Sequence, residues 1–107
     1  MPRCSRFTLA FAPETLDHLD FINRKHHRLI RKELHDQLSF APDVATRNRK
    51  MLAQPAPLGA TWELRFGPNN RFRVFYEIDV HEKIVRILAI GVKVGNKLLI
   101  GGEEFIP

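Results

Sequence analysis

The chain has 107 residues, 44% of them hydrophobic and 27% charged, with 17 Lys and Arg against 12 Asp and Glu for a net charge of +5. That length suits one modest core, so residues 1–107 read as a single domain. No apolar run approaches the roughly 20 residues of a membrane-spanning helix, and the first residues, Met1-Pro2-Arg3-Cys4, lack the apolar heart of a signal peptide. A cytoplasmic protein with no membrane association is therefore expected, and the lone Cys4 excludes an intrachain disulfide and a cysteine metal site.

Taken in order, Arg6 to Phe11 alternates well enough for a short strand, with Phe7, Leu9 and Phe11 on one face. Ala12-Pro13-Glu14 ends it, and Pro13 suits a first helical turn, where its missing N–H is not needed. Glu14 and Asp17 then fall at the positive end of the helix dipole. Leu16, Leu19, Phe21 and Ile22 supply an apolar stripe as far as Asn23. After a bend near Asn23–Arg24, Ile30, Leu34 and Leu38 recur at every fourth position, which predicts a second helix. Phe40-Ala41-Pro42 stops it, because the residue before a proline is pushed out of helical angles. The two helices form a hairpin whose apolar side needs a sheet to cover.

Asp43 is positioned to cap a short turn through Val44-Ala45-Thr46, Arg47-Asn48-Arg49-Lys50 follows, and then a segment with Pro55, Pro57 and Gly59 reads as loop. Next come Trp62-Glu63-Leu64-Arg65-Phe66, a turn at Pro68-Asn69-Asn70, and Arg71-Phe72-Arg73-Val74-Phe75-Tyr76-Glu77-Ile78. Alternation places Trp62, Leu64, Phe66, Phe72, Val74, Tyr76 and Ile78 on the core side. Glu63, Arg65, Arg71, Arg73, Phe75 and Glu77 fall on the opposite, open side. A turn at Asp79 to Lys83 leads to Ile84–Ile90, apolar nearly throughout, which predicts a central strand buried on both faces with the first strand beside it. Gly91 to Lys97 is expected to turn away from the sheet, and Leu98 to Phe105 to form an extended tail. The fold class is α+β: an N-terminal strand, a helical hairpin and a three-strand antiparallel meander, with the helices on one face of a four-stranded, mainly antiparallel sheet.

Charge is concentrated. Between Val44 and Phe75 six basic residues, Arg47, Arg49, Lys50, Arg65, Arg71 and Arg73, stand against one acid, Glu63. This asymmetry favours a polyanionic partner, either nucleic acid or an acidic protein competing for the same surface. An earlier cluster, Arg24, Lys25, Arg28, Arg31 and Lys32, reads equally well as a solvated helix face. The histidines show no metal-binding spacing, and the glycines lack the pattern of a nucleotide loop. No cofactor or metal is expected.

The order and spacing of four blocks carry a resemblance over roughly Phe7 to Lys97. Thr46-Arg47-Asn48-Arg49-Lys50, Trp62-Glu63-Leu64-Arg65, Arg73-Val74-Phe75-Tyr76 and Ile87-Leu88-Ala89-Ile90-Gly91-Val92-Lys93 look like successive segments of the RelE/ParE superfamily of type II toxins. The resemblance implies a small basic toxin, wrapped by a cognate antitoxin in a toxin–antitoxin hetero-oligomer. RelE-type members cut mRNA in the ribosomal A site without metal. ParE-type members poison DNA gyrase without catalysis, and a degenerate paralogue that only binds antitoxin or RNA is a third reading.

RNA cleavage needs an activated 2′-hydroxyl, charge stabilisation at phosphorus and a proton for the leaving 5′-oxygen. Arg73 matches the family's phosphate-binding arginine, and its planar fork suits phosphate oxygens. Arg65 lies where the ribonucleases usually carry a lysine, and since arginine stays protonated it would act through charge. Glu63 takes the place of another usual lysine; a carboxylate there could act as the base, but a cross-strand ion pair with Arg73 is the simpler reading. Lys93 falls near the family's later arginine, which protonates the leaving group. The catalytic expectation is thus Arg65, Arg73 and Lys93, with Arg47, Arg49, Lys50, Arg71 and Phe75 binding RNA; Phe75 either stacks on a base or, equally, packs under the antitoxin or the C-terminal tail. The C-terminal tyrosine common in RelE ribonucleases has no match, Leu99 and Phe105 standing in that region, and Tyr76 reads as core.

Overall fold

The computed structural model describes residues 6–53 and 56–106, so the expectations for Cys4 and Pro55 fall outside the described residues. The first layer is helical. Strand β1 (Thr8–Phe11) leads into α1 (Glu14–Asp20), and α2 (His27–Leu38) follows after a bend. Pro13 occupies the cap of α1 at φ −55°, one residue before the first turn. The buried Thr15 hydroxyl donates to the Ala12 carbonyl (2.6 Å) and closes that turn. The Asn23 side chain accepts from the Lys25 N–H (3.0 Å) and opens a short 3-10 turn over Arg24–His26. His27 Nε2 lies 3.0 Å from the Leu19 carbonyl and 2.9 Å from that of Ile22. Both partners are acceptors, so this nitrogen donates and ties the end of α1 to the start of α2. Ile30, Leu34 and Leu38 are all buried, as their spacing predicts.

The sheet holds more than the expected four strands. β2 (Arg49–Met51), β3 (Trp62–Phe66), β4 (Phe72–Asp79), β5 (Ile84–Val94), β6 (Lys97–Ile100) and β7 (Glu103–Glu104) follow one another in space as in sequence. With β1, which runs parallel to β5, the sheet has seven strands, the others pairing antiparallel. The meander β3–β4–β5 and the central place of β5 agree with the sequence reading. Three short elements were not anticipated. The segment from Arg49, to which the sequence reading assigns no element, joins the edge as β2. The chain does not turn away at Gly91 but continues as β5 to Val94. Gly91 marks a close approach, since a Cβ there would sit 2.9 Å from the Leu99 carbonyl of the adjacent strand. The expected tail is the β6–β7 hairpin, turned at Gly101–Gly102.

A bulge decides which side chains face where. Phe75 opposes Ala89 and Tyr76 opposes Ile87, so Leu88 is an extra residue in β5. Strict alternation from Val85 and Ile87 would carry Ala89, Gly91 and Lys93 onto the core side. The extra residue resets the phase: Val85, Ile87, Ile90 and Val92 belong to the core under the helices, while Lys93 turns to the open face. The long apolar run of β5 thus combines central burial with a slip in register.

The main core lies between the helices and the sheet and includes Ile30, Leu34, Leu38, Leu64, Phe66, Phe72, Val74, Val85, Ile87 and Ile90. Tyr76 is fully buried there and its hydroxyl donates to the Pro42 carbonyl (2.8 Å). Burial drives its ionisation far above the usual phenol range, with Asp43 adding to the shift and Arg49 opposing it, so Tyr76 is a structural donor. No helix among the described residues is long and apolar enough to cross a membrane.

Candidate functional site

The open face of the sheet carries a cleft of about 310 Å³, walled by β3, β4, the end of β5, the loop through Ala56–Pro57 and the β6–β7 hairpin. Lys50, Arg65, Arg73 and Lys93 line it, with Glu63 and Glu104 as its acids. The three residues expected to be catalytic, Arg65, Arg73 and Lys93, therefore share one depression although they come from three strands. Register explains the meeting. Arg65 and Arg73 face each other directly across β3 and β4, Arg73 opposes Gly91 on β5, and Lys93 follows two residues on. The bare Gly91 lets β6 pack closely beside it, with Leu98 and Ile100 where a side chain would be, and the bulge brings Lys93 to the side of Arg65 and Arg73.

Two arginines directly opposite one another repel. Glu63 offsets this. Its carboxylate is 4% exposed and sits two residues before Arg65, opposite Lys50 and diagonal to Arg73. Arg65 Nε donates to Glu63 Oε1 (2.9 Å), Arg73 Nη1 lies 3.4 Å from Oε2, and Lys50 Nζ lies 3.9 Å from Oε1. Arg73 Nε also donates to the Asn70 carbonyl (2.8 Å), so two of its fork nitrogens are held. Behind β3, Asn48 clamps the Arg65 backbone by accepting its N–H (2.8 Å) and donating Nδ2–H to its carbonyl (2.8 Å). The guanidinium groups thus have defined positions, with outer N–H groups of Arg65 and Arg73 directed to no partner among the described residues. The Lys93 ammonium likewise has none there. Arg73 is the more enclosed of the two, its side chain 12% exposed against 32% for Arg65.

The residues expected to bind RNA divide. Lys50 lies in the cleft, and Arg47 is exposed in the loop before β2. Arg49 is committed elsewhere: its Nε donates to the Val44 carbonyl (3.0 Å) and its Nη1 to the backbone and side-chain oxygens of Gln37, fastening β2 to the end of α2. Arg71 turns to the other side of the sheet, its guanidinium 5.3 Å from the centre of the Phe72 ring. Phe75 lines the cleft floor but is only 2% exposed, packed in a small cluster with Ala60 and Ala89. As placed, its ring offers no free face for a base: of its two expected roles, stacking on a base and packing under the tail, the second matches the covering by Leu52, Leu98 and Ile100.

Several lining residues escaped the sequence reading. Glu63 was foreseen as a partner of Arg73 but not as the shared acid of three cations. Leu98, Glu104 and Phe105 form one wall through the unanticipated hairpin, while Leu99 faces the opposite side. A Gly-Gly pair between two short extended stretches is a hairpin signal that could have located that wall. Among the described residues no group of three or more His, Cys, Asp or Glu side chains could hold a metal ion.

No protein-family model matches the chain, and no curated protein matches it in sequence. Among solved structures, the chain is similar to one from the RelBE2 toxin–antitoxin complex of Mycobacterium tuberculosis, with a TM-score of 0.68 and 22% identity over 87% of this chain and 98% of the other. At that identity the likeness speaks for the fold.

Proposed function

We propose that this protein is the toxin of a toxin–antitoxin pair and that it cuts mRNA on the ribosome, using the open-face cleft. The observation that carries the reading is the convergence of Arg65, Arg73 and Lys93, held around one buried acid, in a single cleft on a fold shared with a toxin–antitoxin complex component. The cognate antitoxin would cover this surface with acidic and apolar side chains.

In the proposed reaction the 2′-hydroxyl attacks the adjacent phosphorus, giving up its proton to solvent, and the 5′-oxygen leaves with a proton from the Lys93 ammonium. Arg73 holds the nonbridging oxygens through its outer N–H groups and stabilises the charge gathering at phosphorus. Arg65, permanently protonated, lowers the cost of forming the 2′-oxyanion by charge alone. Glu63 positions both arginines. Because those positions are fixed before RNA binds, little reorganisation is left for the transition state.

The test is to incubate the protein with purified ribosomes programmed with a defined mRNA and to map new 5′ ends by primer extension. Cuts within the codon in the A site are expected. Their absence with well-folded protein would contradict the ribonuclease reading, and inhibition of gyrase supercoiling by the same sample would mark the non-catalytic alternative.

A further inference from the structure

A second cleft, of about 210 Å³, opens on the helix side of the sheet, between the end of α1, the Arg24–His26 turn and strands β4, β5 and β6. Its floor is apolar, made by Ile22, Phe72, Ile90, Val92 and Leu99. Its polar groups are His18, His26 and Arg71, with Asn23 beside them, and no Asp or Glu lines it. The Gly101–Gly102 turn closes one side. Both glycines have positive φ (62° and 80°), and a Cβ on Gly102 would meet the Phe21 ring at 2.6 Å. Side chains there would push Phe21 and His18 off the turn, so the glycines shape the wall.

Topology explains why His18 points a donor here. Strand β1 leaves the edge of β5 at Phe11–Ile87, and β6 joins the same edge only at Gly91–Ile100. The Ile90 N–H in the gap has no strand to donate to, and it donates to His18 Nδ1 (3.2 Å). That acceptor role puts the imidazole proton on Nε2. The neighbouring ring atom, Cδ2, lies 3.3 Å from where a Gly101 Cβ would be, so this edge of the ring borders the cleft at the Gly101–Gly102 turn. Arg71 and His26 both lie against Phe72, at 5.3 Å and 5.1 Å from its ring centre. Neither side chain has a hydrogen bond or ion pair among the described residues. Desolvation lowers the pKa of both histidines, against the pull of Glu14 and Asp17 at His18 and with the Lys25 and Arg71 charges lowering that of His26 further; the permanent cation of the cleft is Arg71.

We propose that this cleft binds a small monocarboxylate with an aromatic or branched apolar body. The body lies on the floor formed by Phe72, Ile90 and Val92, and the carboxylate meets the Arg71 fork and the His18 Nε2–H. One negative charge matches one permanent cation and a neutral donor. A phosphate dianion would leave charge unmatched over an apolar floor. The volume, below the roughly 300–1,000 Å³ of sites for drug-sized ligands, fits a body of about one ring. This site is on the opposite side of the sheet from the cleft of the proposed ribonuclease, and its test is independent of that reading.

The experiment is an amide ¹H–¹⁵N NMR titration of the full chain with benzoate, its neutral isostere benzamide, and inorganic phosphate. Benzoate is expected to shift the amides of His18, Ile90 and Gly101 saturably, with a Kd on the order of 1 mM for so small a ligand. Benzamide should bind about tenfold more weakly, and Arg71→Gln should weaken benzoate by about tenfold through loss of the charged fork. Amides remote from the cleft report whether the variant stays folded. Shifts that fail to saturate, equal binding of benzamide, or unchanged benzoate binding by Arg71→Gln would each overturn the proposal. Phosphate binding as tight as benzoate at the same amides would overturn the apolar-body assignment.

Discussion

Under the helices, Leu34, Leu38, Leu64 and Ile87 are buried in one extended apolar cluster, whereas on the open face a carboxylate, Glu63, is buried beside a cluster of only Phe75, Ala60 and Ala89. The two sides of one sheet are thus held by different forces. The first rests on area removed from water and is not screened by salt. The second rests on three cations gathered around one acid, and its geometry should respond to charge, salt and the loss of a single residue. A surface fixed in this way keeps cations close together without a ligand, which is what an anion-binding site requires.

The contrast can be broken from either side. Leu34→Ala, on the covered face, should cost about 2–5 kcal/mol in urea denaturation, with unchanged salt dependence; a cost well under 1 kcal/mol would mean that the helices do not anchor the fold. Glu63→Gln, on the open face, should cost about 1–3 kcal/mol, less than a fully buried pair because its partners reach solvent. The same change should raise RNA affinity at low salt while slowing cleavage, since it frees the arginines as it removes a negative charge. An increase in both would remove Glu63 from its positioning role. Tyr76→Phe should cost about 0.5–1.5 kcal/mol through its bond to the Pro42 carbonyl, and calorimetry can read it.

Two smaller effects sharpen the comparison. If the four cations of the open cleft meet RNA phosphates, the slope of log K against log salt for single-stranded RNA should be about −2 to −3; a flat response in filter binding would contradict an electrostatic interface. On the helix side, desolvation holds His18 below its ordinary pKa against the opposing pull of Glu14 and Asp17. The unfolded chain therefore binds the proton more readily, so this contribution is complete above pH ~6.5 and is lost as pH falls towards the lowered value. The wild-type Tm should drop more than that of His18→Asn between pH 7.5 and 5.5, and parallel curves would refute the link.

Much of this architecture was legible from spacing. Ile30, Leu34 and Leu38 announced the buried side of α2, and the alternation around Arg65 and Arg73 announced the hairpin and its charged face. What escaped depended on partners distant in sequence. An extra residue at Leu88 leaves no trace in the unbroken apolar run from Ile87 to Ile90, so the change of phase before Lys93 could not be read. Gly91 looked like a turn because sequence does not reveal that the paired strand β6 leaves no space for a side chain there. Arg49 and Phe75 resembled ligand-binding residues by type and position, yet one fastens β2 to α2 and the other is covered from above. The role of Arg49 became visible only with Gln37 in place, whereas packing under the tail was already one of the two readings of Phe75.

The most direct measurement compares cleavage rates by primer extension for wild type, Arg73→Ala and Arg86→Ala on the same programmed ribosomes. Both variants lose one positive charge, but Arg86 sits at the far end of the sheet, 3.6 Å from Glu77 and 3.7 Å from Asp79, outside the cleft. The account predicts a loss of about 100-fold or more for Arg73→Ala and near wild-type cutting for Arg86→Ala. Equal effects of the two variants would contradict it, because basic charge alone, and not the cleft around Glu63, would then account for the activity.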